Sequence, residues 1–297
     1  MSIAAIAIIA DASATTTAAA AAATSAAATA TAAAAPTAAG SYPIDIWGLV
    51  ITVALVAIAA GMSIVMRLGV GRQMLWAALR SLIQLLAMGY VIKFVIEANN
   101  PWLVFALVAV MILAAIQITL SRASNIPKGL ALDVFLTLLV GALLQFVFAT
   151  QLIVRPHPWY APQIVVTMTG MLLGNMVAAI AVAMSRFFDD MASRRYEIEM
   201  LLSLGATPFE AAKSSIISSV KLGMIPTISQ LASSGIVLIP GMMAGQVIAG
   251  ADPLTAAKYQ FVVLAIISAL TLLADSLIML LVYRKPFTAL HQYIQTV

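Results

Sequence analysis

Seven long apolar stretches follow Pro43, and they limit what this chain can fold into. A helix needs about twenty residues to cross the hydrocarbon core of a bilayer. Backbone polar groups find no partner in lipid, so segments that cross it must be helical or form a closed barrel. The sequence therefore predicts an all-α fold, a polytopic membrane helix bundle of about seven transmembrane helices. The predicted spans are residues 46–66, 75–96, 102–120, 134–153, 162–184, 222–248 and 261–282.

Composition agrees with a membrane location and excludes several classes of function. Charged residues make up only 9% of the chain, too few to cover the surface of a soluble domain. Cysteine is absent, which excludes disulfides and thiolate metal sites. His157 and His291 are too far apart to suggest a metal site built from histidines, so the metal-binding residues of this chain, if it has them, are unknown from the sequence. No G-x-x-x-x-G-K-[ST] loop or Ser/His/Asp arrangement occurs. We expect no catalytic residues, no cofactor bound by this chain and no nucleic-acid partner.

The first forty-two residues differ from the rest. They are almost entirely Ala, Thr and Ser, with one charge at Asp11 and a break at Pro36. This composition predicts a low-complexity, disordered extension over residues 1–42, and a transmembrane domain over 43–297. A weak extra span or an uncleaved signal from Ile3 onward is the alternative.

Basic residues predict the orientation of the spans. They collect on one side, which the positive-inside rule assigns to the cytoplasm. The other side carries only Lys93, Arg155 and Lys258. We therefore expect the N-terminus outside and the C-terminus in the cytoplasm of a cell inner or plasma membrane. The cytoplasmic basic residues are Arg67, Arg72, Arg122, Lys128, Arg186, Arg194, Arg195, Lys213, Lys221, Arg284 and Lys285.

A long polar segment, residues 186–221, separates the fifth and sixth predicted spans. Within E-M-L-L-S-L-G-A-T-P, Glu199 precedes Gly205 by six residues. Gly205 can adopt a positive φ and end one helix, and Thr207 can cap a second helix that starts at Pro208. The pattern predicts two helices joined by a sharp turn on the cytoplasmic face. Such a turn can dock a cytoplasmic partner, or it can be an ordinary solvated loop between spans.

Polar side chains within the predicted spans are candidates for a translocation pathway. Arg80 and Gln84 share one helical face, and Arg80 either lines a pathway or reaches back to the interface. Asn175 either contacts a substrate or hydrogen-bonds a neighbouring helix. Asp275, the only acid well inside a span, either pairs with Arg80 or binds a cation.

The sixth predicted span contains helix breakers at Pro226 and Pro240. The polar residues between them either line the pathway of a broken helix or join helices through hydrogen bonds. They are Ser229, Gln230, Ser233 and Ser234, spaced so that 229 and 233, and 230 and 234, share a face. Met242 and Met243 follow, either as soft metal ligands or as adaptable core side chains.

Three motifs carry a resemblance to a known family. They are GIVLIPGMMAGQVIAGADPLTAAKYQF, SLGATPFEA and M-x-G-M-L-L-G-N. With them the chain resembles the FetB-like (YbbM-type) family of ABC transporter permeases, which includes bacterial iron-export and plant aluminium-tolerance permeases. The resemblance implies a homodimeric permease paired with a separate cytoplasmic ABC ATPase that binds ATP and Mg. It also implies that the residues facing the ATPase are Glu199, Gly205, Ala206, Thr207 and Pro208.

The resemblance and the polar loop together predict an ABC permease subunit that exports a metal ion or a related solute, and the metal cargo is implied by the resemblance alone. Two alternatives stay open from the sequence. One is an ion- or proton-coupled secondary transporter that uses Asp275 and Arg80. The other is a membrane scaffold that recruits cytoplasmic proteins through the same polar loop.

Overall fold

The structure, a computed structural model, describes residues 45–66, 69, 71–123, 126–127, 129–288 and 292–293. The predicted extension 1–42 lies outside these residues, as do Arg67, Lys128 and His291. The described part folds into nine helices with no named strand. They are α1 Ile46–Val65, α2 Gly71–Ala98, α3 Pro101–Arg122, α4 Ala131–Gln145, α5 Pro162–Ser193, α6 Arg195–Ser203, α7 Pro208–Ser233, α8 Gly241–Ile248 and α9 Pro253–Val282. A π-helical segment, Phe146–Val154, continues α4.

Among the described residues, six helices are long and apolar enough to cross a membrane. They are α1, α2, α3, α4 with its π-helical continuation, α5 and α9. The prediction of a polytopic helical membrane bundle is confirmed.

Several helices begin where the sequence supplies a capping side chain followed by proline. The side chain of Asn100 accepts a hydrogen bond from the Trp102 amide at the start of α3. Asp252 does the same for the Thr255 amide at the start of α9. In both helices the next residue is a proline, which has no amide proton to leave unpaired at the first turn.

The core is built around α5, which packs against α3, α7 and α9. Its Leu172, Met176, Ile180 and Phe187 are fully buried at intervals of four and seven residues, the spacing of an inward helical face. Most side chains of α1 and α2, by contrast, are exposed in this single chain. Such apolar faces are suited to lipid or to another protein.

Contacts at the two ends of the bundle show that the helices alternate in direction. At one end, the Tyr160 hydroxyl donates to the Asn99 carbonyl, joining the α2–α3 turn to the start of α5. At the other end, the ammonium of Lys285 lies 3.2 Å from a carboxylate oxygen of Asp133. That ion pair brings the residues after α9 to the start of α4, as expected for antiparallel spans.

The structure corrects the prediction of a single span over residues 222–248, because these residues are divided between α7 and α8. Phe209 of α7 contacts Tyr283 at the end of α9, and Gly223 of α7 lies against Asp275 of α9, so α7 runs antiparallel to α9. The helix is interrupted at residues 234–240, and the chain resumes as α8, which also packs on α9. Pro226 lies inside α7 and does not end it. The helix ends instead before Gly235, whose φ is +89°.

Candidate functional site

The turn between α6 and α7 has the geometry that the sequence predicts. Gly205 has a φ of +90°. Its amide donates to the Leu202 carbonyl, and the Ala206 amide donates to the Leu201 carbonyl, each at 3.0 Å. This pair of bonds is a Schellman motif, which closes the end of α6. We call residues 195–210 the elbow.

The next helix, α7, begins with a complete capping box. The Glu210 amide donates to the Thr207 hydroxyl oxygen, and the Thr207 amide donates to the Glu210 carboxylate at 2.8 Å. Pro208 occupies the first helical position. These bonds satisfy amides that a helix start leaves free, so the direction of α7 out of the elbow is defined by its own residues.

Arg194 anchors the elbow to the helices on either side. Its guanidinium donates to both carboxylate oxygens of Glu197, at 2.9 and 2.6 Å, and to the hydroxyl of Ser215 on α7 at 2.8 Å. It also lies 3.8 Å from Asp190 at the end of α5. The hydrogen bonds from Arg194 hold the pKa of Glu197 below its usual range. One side chain thus joins α5, α6 and α7.

The two faces of α6 differ sharply. Ile198 is fully buried in the core. Tyr196, Met200 and Leu204, four residues apart, are 85%, 55% and 77% exposed and form an apolar row on the outer face. Glu199 lies beside this row and accepts a hydrogen bond of 2.8 Å from Arg195. An exposed apolar row flanked by charges at the polar end of a membrane bundle is suited to binding another protein.

The residues after α9 form part of the same surface, which the sequence analysis missed. We call residues 283–288 with 292 and 293 the C-terminal segment. Gln292 and Tyr293 line a cleft of about 610 Å³ together with Glu199, Leu202, Ser203, Gly205 and Ala206. A second cleft, of about 510 Å³, lies between the start of α7 and Tyr283, Arg284, Phe287 and Thr288. The signal in the sequence was the row of aromatic residues after the last span.

The pathway candidates are distributed over α2, α5, α7 with its C-cap, α8 and α9. Arg80 and Gln84 are exposed on α2, whose main contacts are with α1 and α5. The Asn175 amide donates to the Met171 carbonyl of its own helix at 2.9 Å. This bond uses one of the two amide protons of Asn175 and stays within α5, so contact with a substrate and a bond to a neighbouring helix both stay predictions.

The polar residues of the sixth predicted span lie at the end of α7. The hydroxyls of Ser233 and Ser234 both donate to the Gln230 carbonyl, at 3.3 and 2.6 Å, and this carbonyl also accepts the Ser234 amide at 3.1 Å. Ser229 is exposed. Met242 and Met243 lie on α8 and are partly buried. Among the described residues, no three His, Asp or Glu side chains are grouped to hold a metal ion.

Asp275 is fully buried, and neither of its carboxyl oxygens has a hydrogen-bond partner. Arg80 is exposed on α2 and makes no ion pair with it. The predicted pairing of Asp275 with Arg80 is therefore wrong. The physical reason is that α2 packs at the edge of the bundle, whereas Asp275 faces α5 and α7.

Comparisons with known proteins agree with the resemblance seen in the sequence. Residues 46–287 match the model of the uncharacterised protein family UPF0014. The chain is 34% identical to the UPF0014 membrane protein slr1647 of Synechocystis, with 72% of this chain and 83% of that protein covered. It is 30% identical to the probable iron export permease protein FetB of Escherichia coli, with 84% and 94% covered. It is 28% identical to protein ALUMINUM SENSITIVE 3 of Arabidopsis thaliana, with 71% and 76% covered. No solved structure matches the chain significantly.

Proposed function

The chain belongs to the UPF0014 family of membrane proteins, and on that basis we propose that it is the membrane permease subunit of an ATP-driven exporter. The ATP and its Mg ion are bound and hydrolysed by a separate cytoplasmic ABC ATPase. The cargo is a metal ion of the iron type. The name of the Escherichia coli relative, a probable iron export permease, supports both the cargo and the direction.

The observation that carries this proposal is the outer face of the elbow. Its apolar row of Tyr196, Met200 and Leu204 is exposed, although the helix beneath it is held firmly by Arg194 and the buried Ile198. A partner that covers this row would remove apolar surface from water without having to order a flexible loop. We infer that the ATPase binds here and contacts Glu199 and the residues of the turn, Gly205 to Pro208.

A movement of the elbow would be transmitted directly to α7, which starts at the turn and runs into the bundle. The elbow leads through the capped turn into α7, which is 26 residues or roughly 39 Å long. At its far end, α7 breaks off at Ser234, and the chain resumes as α8. Interrupted helices often line the substrate path in transporters. We propose that closure of the ATPase dimer moves α7 and opens the path beside the α7–α8 break.

The assembly is proposed as two permease chains with two ATPase subunits, in an inner or plasma membrane. The N-terminus lies outside and the elbow in the cytoplasm, because Arg186, Arg194, Arg195, Lys213 and Arg284 lie at the elbow end. Exposed α1 and α2 offer apolar surface for the second permease chain or for lipid.

Charge reversal at a matched pair of positions tests the proposal. Glu199→Arg and Glu97→Arg each reverse an exposed carboxylate that pairs with a basic residue four positions earlier, but at opposite ends of the bundle. We expect Glu199→Arg to abolish co-purification of the ATPase and Glu97→Arg to leave it unchanged. Equal retention of the ATPase in both variants would refute docking at the elbow.

The identity of the bound partner and measurements of metal flux separate the two alternatives. A scaffold would retain a cytoplasmic partner, but that partner would have no nucleotide-binding site and deletion of the chain would leave metal fluxes unchanged. A secondary transporter would move its cargo in vesicles without any ATPase. The Arg80–Asp275 pair on which that alternative was based is absent from the structure.

A further inference from the structure

A buried polar stripe on α9 takes no part in the function proposed above. Gln260, Thr271 and Asp275 are 3%, 0% and 0% exposed. Five of their side-chain atoms, both polar atoms of Gln260, the Thr271 hydroxyl and both oxygens of Asp275, have no hydrogen-bond partner. At about 100° per residue, these three positions fall within about 60° of one another on the helix. Native structures rarely leave buried polar atoms unpaired without a functional reason.

The carboxyl group of Asp275 occupies a gap that only glycine leaves open. A Cβ atom on Gly223 of α7 would lie 2.7 Å from Oδ2 of Asp275 and 3.0 Å from the Ala179 carbonyl oxygen of α5. The carboxyl group therefore lies where α5, α7 and α9 meet. A movement of α7 away from α9 at Gly223 would therefore change the surroundings of this group.

No cation among the described residues faces Asp275 from the helices that pack on α9. On α4, Asp133 pairs with Lys285, and on α5, Arg186 pairs with Asp190, which also lies near Arg194. On α7, Glu210 is used in the capping box. The other charged side chains of these helices are exposed, and α8 carries none. The exposed ones are Asp189, Lys213, Lys221 and, on α9 itself, Lys258.

An ionised carboxylate in these surroundings would be desolvated without any compensating charge or hydrogen bond. A neutral carboxylic acid avoids most of that cost. We propose that Asp275 is a proton-binding site, which holds its proton while α7 is packed against α9. When α7 moves away at Gly223, water enters, the carboxyl O–H gives its proton to a water molecule, and Thr271 and Gln260 hydrogen-bond to the waters that follow.

This site concerns this chain alone and does not depend on an ATPase. Because α7 begins at the elbow, a push on the elbow would also open the proton site, but that consequence rests on the proposed function. The two ideas can therefore fail separately.

Infrared difference spectroscopy of the purified protein in lipid at neutral pH tests the proton directly. The Asp275→Asn variant is isosteric with the protonated acid and is expected to fold like the parent chain. Subtracting its spectrum should reveal the carbonyl stretch of one protonated carboxyl group. Asp190→Asn, which removes an ion-paired carboxylate, should leave that band in place. Loss of a carboxylate band in Asp275→Asn, or failure of this variant to fold where Asp275→Glu folds, would overturn the proposal.

The lack of cysteine in the chain allows a second test, of the link between the proton and α7. Ser219 is fully buried on α7, one turn before Gly223 and on the same face. We expect the thiol labelling rate of Ser219→Cys to rise several-fold more with alkaline pH when Asp275 is present than in the Asp275→Asn background. The comparison cancels the titration of the thiol itself. Equal pH profiles in the two backgrounds would contradict the link.

Discussion

Replacement of Gly205 tests whether the elbow depends on a left-handed residue. The φ of +90° is a conformation that residues with a Cβ rarely adopt. A Cβ at this position would meet no atom within 4 Å, so substitution causes no clash. The cost of Gly205→Ala is therefore in the backbone alone, about 1–2 kcal/mol.

That energy translates into a measurable opening of the turn. Since 1.4 kcal/mol is a factor of ten, we expect the closed turn to be about 5- to 30-fold less populated relative to its open forms. The amides of Gly205 and Ala206, which donate the two bonds of the Schellman motif, should exchange with solvent faster by the same factor. Asn tolerates positive φ better than Ala, and Val tolerates it least, so exchange should rise in the order Gly, Asn, Ala, Val.

Hydrogen exchange measured by mass spectrometry on peptides that cover residues 200–210 gives these rates. Gly245 is a matched control, because it lies inside α8 and also has no atom within 4 Å of a built Cβ. There an alanine should stabilise the helix by about 0.5–1 kcal/mol and slow exchange in α8. The reasoning would be refuted if Gly205→Ala exchanged at the parental rate, or if Ala were tolerated better than Asn.

Three further predictions concern the elbow. Ile198→Ala removes a fully buried side chain and should lower the free energy of unfolding by about 2–5 kcal/mol. Tyr196→Ala changes an exposed side chain, so it should weaken ATPase binding and leave the melting temperature unchanged. Thr207→Ala breaks the capping box and should cost about 1 kcal/mol in thermal unfolding; a loss near zero would mean that α7 does not need its cap. Because hydrogen bonds from Arg194 lower the pKa of Glu197, this ion pair stabilises the folded state above about pH 4.3. That stabilisation is lost as the pH falls further. Melting curves of the parent chain and Glu197→Gln should therefore converge in acid, and parallel curves would argue against the pair.

Local signals in the sequence predicted most of the elbow. A glycine with a positive φ, a threonine cap and a proline at the first helical position depend only on neighbouring residues, and Gly205, Thr207 and Pro208 all take these places. The long apolar stretches likewise predicted the membrane helices, because their length and hydropathy are local properties.

Features that depend on packing between distant helices were not predictable. Pro226 was expected to break a helix, but α7 continues through it and ends before Gly235, inside an apolar run that has the composition of a continuous span. The prediction of an Arg80–Asp275 pair assumed that two isolated charges in the membrane form an ion pair. No pattern within either helix specifies which helices contact each other. The cleft that Tyr293 lines together with the elbow was missed for the same reason, because it joins segments about ninety residues apart.

The central claim is that an ATPase binds the elbow from the cytoplasm. A cysteine placed at Met200, on the exposed row, can be cross-linked in intact cells, and the attached protein can be identified by mass spectrometry. The account predicts one main product, a chain with a G-x-x-x-x-G-K-[ST] nucleotide-binding loop. It is contradicted if the same cysteine reacts with a membrane-impermeant reagent from outside the cell, or if its cross-linked partner has no such loop.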